Sequence, residues 1–267
     1  MIEVPFHKLH GDENDFLLTW ADRSHSAHLA ETARRICARN TGIGADGWML
    51  LWPESDGLKT RLFNSDGSEP EISGNGTRCA AAFAIWSGVV PGPEVVITTG
   101  AGRKTLALKQ RRGTKFVFEM NMGHPVYKDE EVHAKLNLSS GEIDATLVNV
   151  GNPQCAVFVD ALPENWRALG AELESHSRFP NRSNVSFVRV RDRNSIDVAF
   201  FERGVGETRS SGTGSTGAAV AAILRKRVEN PVRIHTPAGE LAFRWDDSVY
   251  LTGPAEYVGE GVFVLGD

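Results

Sequence analysis

The sequence has few cysteines, no long apolar run and no concentration of charge of one sign. It has only three cysteines, Cys37, Cys79 and Cys155. A small, odd number of cysteines argues against a disulfide framework and is typical of a protein in a reducing compartment. The first residues lack the basic and apolar segments of a secretory signal. No stretch approaches the roughly 18 apolar residues of a membrane helix. We therefore expect a cytoplasmic protein that has no membrane partner.

The charge pattern excludes a second group of functions. The 29 Lys and Arg residues are mixed with 34 Asp and Glu residues, giving a net charge of −5, so no basic patch indicates nucleic acid. Neither a Walker nor a Rossmann nucleotide-binding signature is complete. Four histidines, His28, His133, His176 and His235, lack metal-ligand spacing relative to one another. We therefore expect neither a metal nor another cofactor.

Short β-rich runs separated by turn residues dominate the chain. Apolar spacing predicts a helix over 26–39, with Ser26 as its cap. A second helix is predicted over 162–176, opened by Pro163. The fold class is therefore α+β, with mostly antiparallel strands around a few helices. Predicted strands are 48–51, 94–99, 104–109, 115–121, 146–150, 155–159, 185–191, 195–201, 232–236, 240–245 and 249–251.

An internal repeat is the most informative feature of the sequence. Segment 63–85 (FNSDGSEPEISGNGTRCAAAFAI) aligns without gaps with segment 201–223 (FERGVGETRSSGTGSTGAAVAAI), at a constant offset of 138 residues. Each copy is a glycine-rich loop, a Ser-Gly-x-Gly sequence and an alanine-rich helix. A repeat of about half the chain length predicts two similar, pseudo-symmetric domains. The first is 1–123, joined by the C-terminal strand 256–267, and the second is 124–255.

The repeated loop-to-helix junction indicates a particular chemistry. A helix that begins at a Gly-x-Gly loop presents unpaired N–H groups and a partial positive charge. Such an end binds a carboxylate and lowers the pKa of a cysteine at the cap. If the two copies face each other, a small zwitterion could be held with its Cα–H between the caps, where proton removal and return invert a stereocentre. The alternative is structural, because serine is a preferred helix cap in its own right.

Several motifs together carry a resemblance to a known family. They are Lys8-Leu9-His10-Gly11 with Asn14-Asp15-Phe16, Thr41 to Gly47, Phe63 to Glu69 with Gly74 to Cys79, Gly151-Asn152-Pro153, Asn184-Val185, and Glu202 to Thr208 with Gly212-Thr213-Gly214. Their order and spacing over essentially the whole chain resemble those of the diaminopimelate epimerases. The resemblance implies two domains, each a barrel-like sheet around a central helix. It also implies a cytoplasmic homodimer that converts L,L- to meso-diaminopimelate without a cofactor, for lysine and peptidoglycan synthesis.

The resemblance also implies a set of site residues. The catalytic positions are Ser73 and Ser211, with Gln154 and Glu202 as their respective partners. The implied contacts to the small amino-acid substrate are Asn14, Asn64, Gly74, Asn75, Asn152, Asn184, Arg203, Gly212 and Thr213.

The chain departs from the family pattern at three of these positions. The family has cysteine where Ser73 and Ser211 stand, and histidine where Gln154 stands. A serine hydroxyl is far more basic as an alkoxide than a thiol is as a thiolate, and an amide cannot take a proton. Glu202 remains, but it is a weak base for deprotonating a hydroxyl. We therefore expect epimerisation to be impaired or absent.

Three hypotheses remain open at this stage. The chain could be a diaminopimelate epimerase in which both catalytic cysteines were deliberately replaced, although this does not account for Gln154. It could be a diverged isomerase or lyase of an amino-acid-like substrate that uses Glu202 as acid and base. It could also be a non-catalytic binding protein that has kept the ligand pocket. The retained substrate contacts are compatible with all three.

Overall fold

The computed structural model describes residues 1–266, which contain four α-helices and sixteen β-strands. The helices are α1 (Leu29–Cys37), α2 (Gly74–Trp86), α3 (Trp166–Glu174) and α4 (Gly212–Leu224). The strands are β1 (Ile2–Gly11), β2 (Asn14–Trp20), β3 (Gly47–Glu54), β4 (Gly57–Asn64), β5 (Glu94–Thr99), β6 (Gly102–Arg112), β7 (Lys115–Gly123), β8 (Ala134–Leu138), β9 (Gly141–Asn149), β10 (Pro153–Phe158), β11 (Asn184–Asp192), β12 (Ser195–Glu202), β13 (Gly206–Thr208), β14 (Val232–Thr236), β15 (Gly239–Trp245) and β16 (Val249–Leu265).

The chain forms two compact units. The first comprises Met1–Met120 and the segment that starts at Gly253, and the second comprises Asn121–Thr252. Strand β16 therefore begins in the second unit and continues into the first. Within the described residues, none of the helices is both long and apolar enough to cross a membrane.

The first unit is a closed sheet around α2. Strands β1 to β7 follow one another in order, and β16 pairs with β1 and lies beside β7, so the sheet has no free edge at that position. The pairs β2–β3 and β4–β5 are parallel, and the other pairs described are antiparallel. Helix α2 is buried from Gly74 to Ile85. A helix that is apolar on all sides is one that the sheet surrounds.

The second unit repeats this plan around α4. Its strands run in the order β8-β9-β10-β11-β12-β14-β15, followed by the start of β16, while β13 pairs with β12. Helix α4 is buried from Gly212 to Ala222. Helices α2 and α4, like strands β4 and β12, begin and end at the same offset of 138 residues. The predicted α+β fold, with two barrel-like halves around central helices, is confirmed.

The two outer helices are shorter than predicted. The helix predicted over 26–39 is Leu29–Cys37, and its cap is His28 rather than Ser26. The Ser26 hydroxyl is instead bound to the Thr32 hydroxyl at 2.7 Å and accepts the His28 N–H. The helix predicted over 162–176 is Trp166–Glu174, because its first residues form a turn, with Trp166 N donating to Pro163 O.

Candidate active site

Ser73 caps the N-terminus of α2. Its backbone is extended and its Oγ accepts the N–H of Gly76 at 3.1 Å. A Cβ at Gly76 would lie 2.8 Å from Met49 Cε, so a larger residue cannot be accommodated there without displacing its neighbour. The Ser73 hydroxyl is therefore held at the positive end of a helix dipole. Ser73 and Thr77 also line a half-open pocket of about 410 Å³ on the first unit.

Two of the predicted substrate contacts in the first unit lie together beside this helix end. Asn75 Nδ2 donates to Asn14 Oδ1 at 3.2 Å, and Asn14 Nδ2 donates to Asp46 Oδ2 at 2.6 Å. Asn75 Oδ1 accepts from Nη2 of Arg78 at 2.7 Å. Arg78 is fully buried and forms an ion pair with Asp12 at 3.1 Å. Burial raises the pKa of Asp12, and the charge of Arg78 offsets part of this effect.

The other two predicted contacts of the first unit are placed differently. Gly74 is the first residue of α2 and is buried, so its backbone N–H belongs to the helix end. Asn64 ends β4 and donates through Nδ2 to the Ser68 hydroxyl at 3.0 Å. No hydrogen bond joins Asn64 to Asn14 or Asn75 among residues 1–266.

Ser211 caps α4 in the same way, but it also has a carboxylate partner. Its Oγ accepts the Gly214 N–H at 3.1 Å and donates to Glu202 Oε2 at 2.8 Å. The second oxygen of Glu202 accepts the Thr208 hydroxyl at 2.7 Å. A Cβ at Gly214 would lie 2.8 Å from the Phe200 ring, which matches the crowding at the corresponding glycine of α2. Within the described residues no carboxylate is hydrogen-bonded to Ser73, so the two caps differ chemically.

Gln154 and two predicted substrate contacts form a polar group beside the N-terminus of α4. Gln154 Nε2 donates to Asn152 Oδ1 at 2.5 Å, and Asn152 Nδ2 donates to Thr213 Oγ1 at 3.2 Å. Gln154 is only 2% exposed, and its Oε1 has no hydrogen-bond partner in the described part of the chain. It also packs against Gly217, where a Cβ would lie 2.7 Å from Gln154 Cγ. Gln154 thus orients Asn152.

The remaining predicted contacts are Asn184, Arg203 and Gly212. Asn184 Oδ1 accepts the Arg203 N–H at 3.0 Å and its Nδ2 donates to Pro153 O at 3.2 Å, so this amide fixes two chain segments. The next residue after Arg203 is held as well, because Gly204 N donates to the buried carboxylate of Glu174 at 3.0 Å. Gly212 is the buried first residue of α4.

The three cysteines do not supply a thiolate base. All are buried free thiols. Burial raises the pKa of Cys37, Cys79 and Cys155 to about 12 in each case. Cys79 lies within α2 and is 0% exposed. At neutral pH these thiols stay protonated and out of reach of solvent.

Sequence reasoning missed Arg78 and Thr208. Arg78 is the only charged residue of α2, and a single charge in a helix that is otherwise apolar is the signal that could have marked it as buried and paired. Thr208 gives no such signal. Its role follows from the hairpin of β12 and β13, which places it within reach of the Glu202 carboxylate. Both residues support predicted site residues.

Comparison with known proteins identifies the family. The sequence profile of diaminopimelate epimerase matches residues 6–128 and 146–258. The chain belongs to the diaminopimelate epimerase family. The diaminopimelate epimerase of Desulfitobacterium hafniense is 36% identical over 274 residues, covering 96% of this chain and 97% of that protein. The one from Moorella thermoacetica is 38% identical over 276 residues, covering 97% and 99%.

Several solved structures of other proteins share the fold of this diaminopimelate epimerase family member. A hydroxyproline epimerase from Agrobacterium vitis matches with a TM-score of 0.74 at 17% identity, covering 100% of this chain and 94% of that one. A methylitaconate-delta-isomerase matches with a TM-score of 0.66 at 16% identity, covering 99% and 97%. At this level of identity the likeness concerns the fold alone. The chain is thus an epimerase-type isomerase by family, on a fold that other isomerases share.

Proposed function

We propose that this protein is a cofactor-independent epimerase of the diaminopimelate type. It binds diaminopimelate, but its proton transfer at Cα is strongly impaired. The observation that carries the proposal is full-length membership of the family at 36–38% identity. The predicted contact residues support it, because Asn75 and Thr213 stand at the N-termini of two buried helices, where N–H groups suit a substrate carboxylate. The product of an active enzyme would serve lysine and peptidoglycan synthesis.

The impairment follows from the chemistry of the two caps. A free thiol has a pKa of about 8.5, whereas a hydroxyl lies near that of bulk water, about 15.7. The gap of about seven units corresponds to about 10 kcal/mol. The end of a helix contributes at most about 2 kcal/mol towards an anion. Ser73 and Ser211 therefore remain hydroxyl groups at neutral pH and do not abstract a proton from Cα as alkoxides.

A second candidate function is favoured by the hydrogen bonds of Glu202. The Ser211 hydroxyl donates to this carboxylate, and the Thr208 hydroxyl holds its other oxygen. In a one-sided reaction Ser211 Oγ would accept the Cα proton while its own proton passes to Glu202. Such a site would exchange the Cα proton, or eliminate a leaving group, on one face of the substrate, and it would not invert the configuration at Cα. It corresponds to the diverged isomerase or lyase that uses Glu202 as acid and base.

One experiment separates these functions. The protein is incubated with L,L- and with meso-diaminopimelate in D₂O, deuterium at Cα is measured by mass spectrometry, and the isomers are separated chromatographically. We expect a ligand-induced rise in melting temperature without deuterium uptake. Uptake with interconversion of isomers would refute the impairment. Uptake without interconversion would support the one-sided reaction. No ligand-induced rise and no uptake would refute binding of diaminopimelate.

We also propose a cytoplasmic homodimer, as the family resemblance implies. The three reduced, buried cysteines support a reducing compartment. Light scattering after size exclusion tests the assembly, since a mass near the 29.1 kDa of one chain at working concentration would contradict it. Fractionation of the source cells tests the location.

A further inference from the structure

Three hydrogen bonds in the first unit form a series with a single direction. Arg78 Nη2 donates to Asn75 Oδ1 at 2.7 Å, Asn75 Nδ2 donates to Asn14 Oδ1 at 3.2 Å, and Asn14 Nδ2 donates to Asp46 Oδ2 at 2.6 Å. The series begins at a guanidinium, which can only donate, and ends at a carboxylate, which can only accept when ionised. A reversed amide at either asparagine would place two donors or two acceptors against each other. The two ends therefore determine the orientation of both amides.

Arg78 is held in place by contacts other than Asn75. Its side chain is 0% exposed, its Nε donates to Pro254 O at 2.9 Å, and its Nη2 lies 3.1 Å from Asp12 Oδ2. A Cβ at Gly11 would lie 3.3 Å from Nη2, so the glycine leaves room for the guanidinium. Arginine stays protonated in proteins, unlike lysine or histidine. The series consequently starts at a fixed donor whose charge does not change with pH.

We propose that Arg78 is a positioning residue that fixes the donor and acceptor ends of Asn75 and, through it, of Asn14. The proposal rests on the proposed function, in which both asparagines contact diaminopimelate. A substrate of this class carries ammonium groups, which donate, and carboxylates, which accept, so it distinguishes the two ends of an amide. An asparagine with its ends exchanged would offer a carbonyl oxygen where a carboxylate needs an N–H. Arg78 acts without touching the ligand.

The second unit also orients an asparagine amide, but with different residues. At the offset of 138 residues, Asn14 corresponds to Asn152 and Asn75 to Thr213, and this pair is also hydrogen-bonded, at 3.2 Å. Here the position of Arg78 is taken by Thr216, and Asn152 is oriented by Gln154, two residues further along the chain in β10, at 2.5 Å. Both units thus orient the asparagine through a buried donor, which is Arg78 acting through Asn75 in one case and Gln154 acting directly in the other.

A double-mutant cycle tests whether Arg78 acts through Asn75. The variants are Arg78→Lys, which keeps the positive charge beside Asp12, Asn75→Ala, and the two combined. We expect Arg78→Lys to weaken binding of meso-diaminopimelate about tenfold in calorimetry, because one oriented hydrogen bond is lost. In the Asn75→Ala background the same change should have no further effect on affinity. Equal effects in both backgrounds would overturn the proposal. The matched control is Arg103→Lys, an exposed arginine of the same unit, which should bind as the unmodified protein does.

A second measurement does not depend on the ligand. In ¹⁵N spectra, Arg78→Lys should shift the side-chain amide resonances of both Asn75 and Asn14, while those of Asn184 in the second unit stay unchanged. A shift confined to Asn75 would overturn the proposal. If the unmodified protein binds no diaminopimelate and both resonances still shift, the proposed function fails and the positioning role stands.

A further variant leaves Arg78 intact, in case the lysine variant does not fold. Asn75→Asp keeps an acceptor for Arg78 and removes the donor to Asn14. We expect the Asn14 amide resonances to shift and the affinity to fall at least tenfold. Unchanged affinity together with unchanged Asn14 resonances would overturn the proposal.

Discussion

Replacing both capping serines by cysteine should create or restore epimerase activity. Ser73 Oγ and Ser211 Oγ each accept an N–H of the first helical turn at 3.1 Å, so a sulfur there would lie at the positive end of α2 or α4. A thiol starts about seven pKa units below a hydroxyl, and the helix end lowers it further. The thiolate is therefore populated near neutral pH, where the alkoxide is not.

The expected increase in epimerisation rate follows from the difference in pKa between a thiol and a hydroxyl. A positioned base or acid contributes about 10²–10⁴ in rate. Because inversion requires both, we expect each single variant to stay near the background and the double variant to rise by at least about 10³. Gln154→His is added as a third change if the double variant binds but turns over slowly, since it returns a titratable group to that position. Turnover is measured by isomer separation and by Cα deuterium exchange.

The matched control is Ser87→Cys, at the opposite end of α2. Ser87 is the C-terminal cap of that helix, where the dipole raises rather than lowers the pKa of an anion-forming group. Thiolate absorbance against pH should place the pKa of the cysteine at position 73 below that of the cysteine at position 87. If the triple variant binds diaminopimelate, carries a thiolate at each cap and still leaves the substrate unchanged, the reasoning is wrong.

Three further predictions follow from other contacts. Arg203→Ala should abolish binding of diaminopimelate, because a ligand carboxylate would lose a fork-shaped partner, and unchanged affinity by calorimetry would contradict this. Gly217→Ala should lower the free energy of unfolding by about 1–3 kcal/mol, despite the higher helix propensity of alanine, because its Cβ would lie 2.7 Å from Gln154; Gly259→Ala, with no atom within 4 Å, is the control in urea unfolding. Although burial raises the pKa of Asp15, hydrogen bonds from an arginine and a lysine lower it overall from its ordinary value of 3.8. The stabilisation that Asp15 contributes is thus complete above about pH 4 and is lost as the pH falls through the lower folded-state pKa. Asp15→Asn should therefore make the free energy of unfolding depend less on pH in the acid range.

The repeat allowed the central helices to be predicted closely. A constant offset and two Ser-Gly-x-Gly sequences predicted a capped helix in each half, and the structure has Ser73 and Ser211 at those caps. The reason is steric as well as electrostatic, since a Cβ at Gly76 or at Gly214 would lie 2.8 Å from a neighbouring side chain. Local rules of this kind are visible in a short stretch of sequence.

Contacts between distant residues were not predictable in this way. Ser26 has the residue type of a cap, but its hydroxyl bonds to Thr32 and the helix starts later. The strands predicted over 249–251 and 256–267 form one strand that runs from Val249 to Leu265, because pairing with β15 and β1 outweighs the low strand propensity of Gly253 and Pro254 between them.

The residue that pairs with Arg78 could not be predicted from local patterns either. Arg78 and Asp12 are 66 residues apart, and no spacing rule connects them. The substrate contacts carried over from the family remain predictions for the calorimetric and deuterium experiments described above.

The course of β16 has a consequence for synthesis on the ribosome. The first unit begins with β1, yet the partner that closes its sheet is the last strand, and His7 and Tyr257, which contact each other there, are 250 residues apart. Domains usually fold in the order in which they emerge during translation. Here the second unit, continuous from Asn121 to Thr252, can fold while the first still lacks a strand. Premature termination shortly after Thr252 would therefore damage the N-terminal unit most, although all of its other strands had already been made.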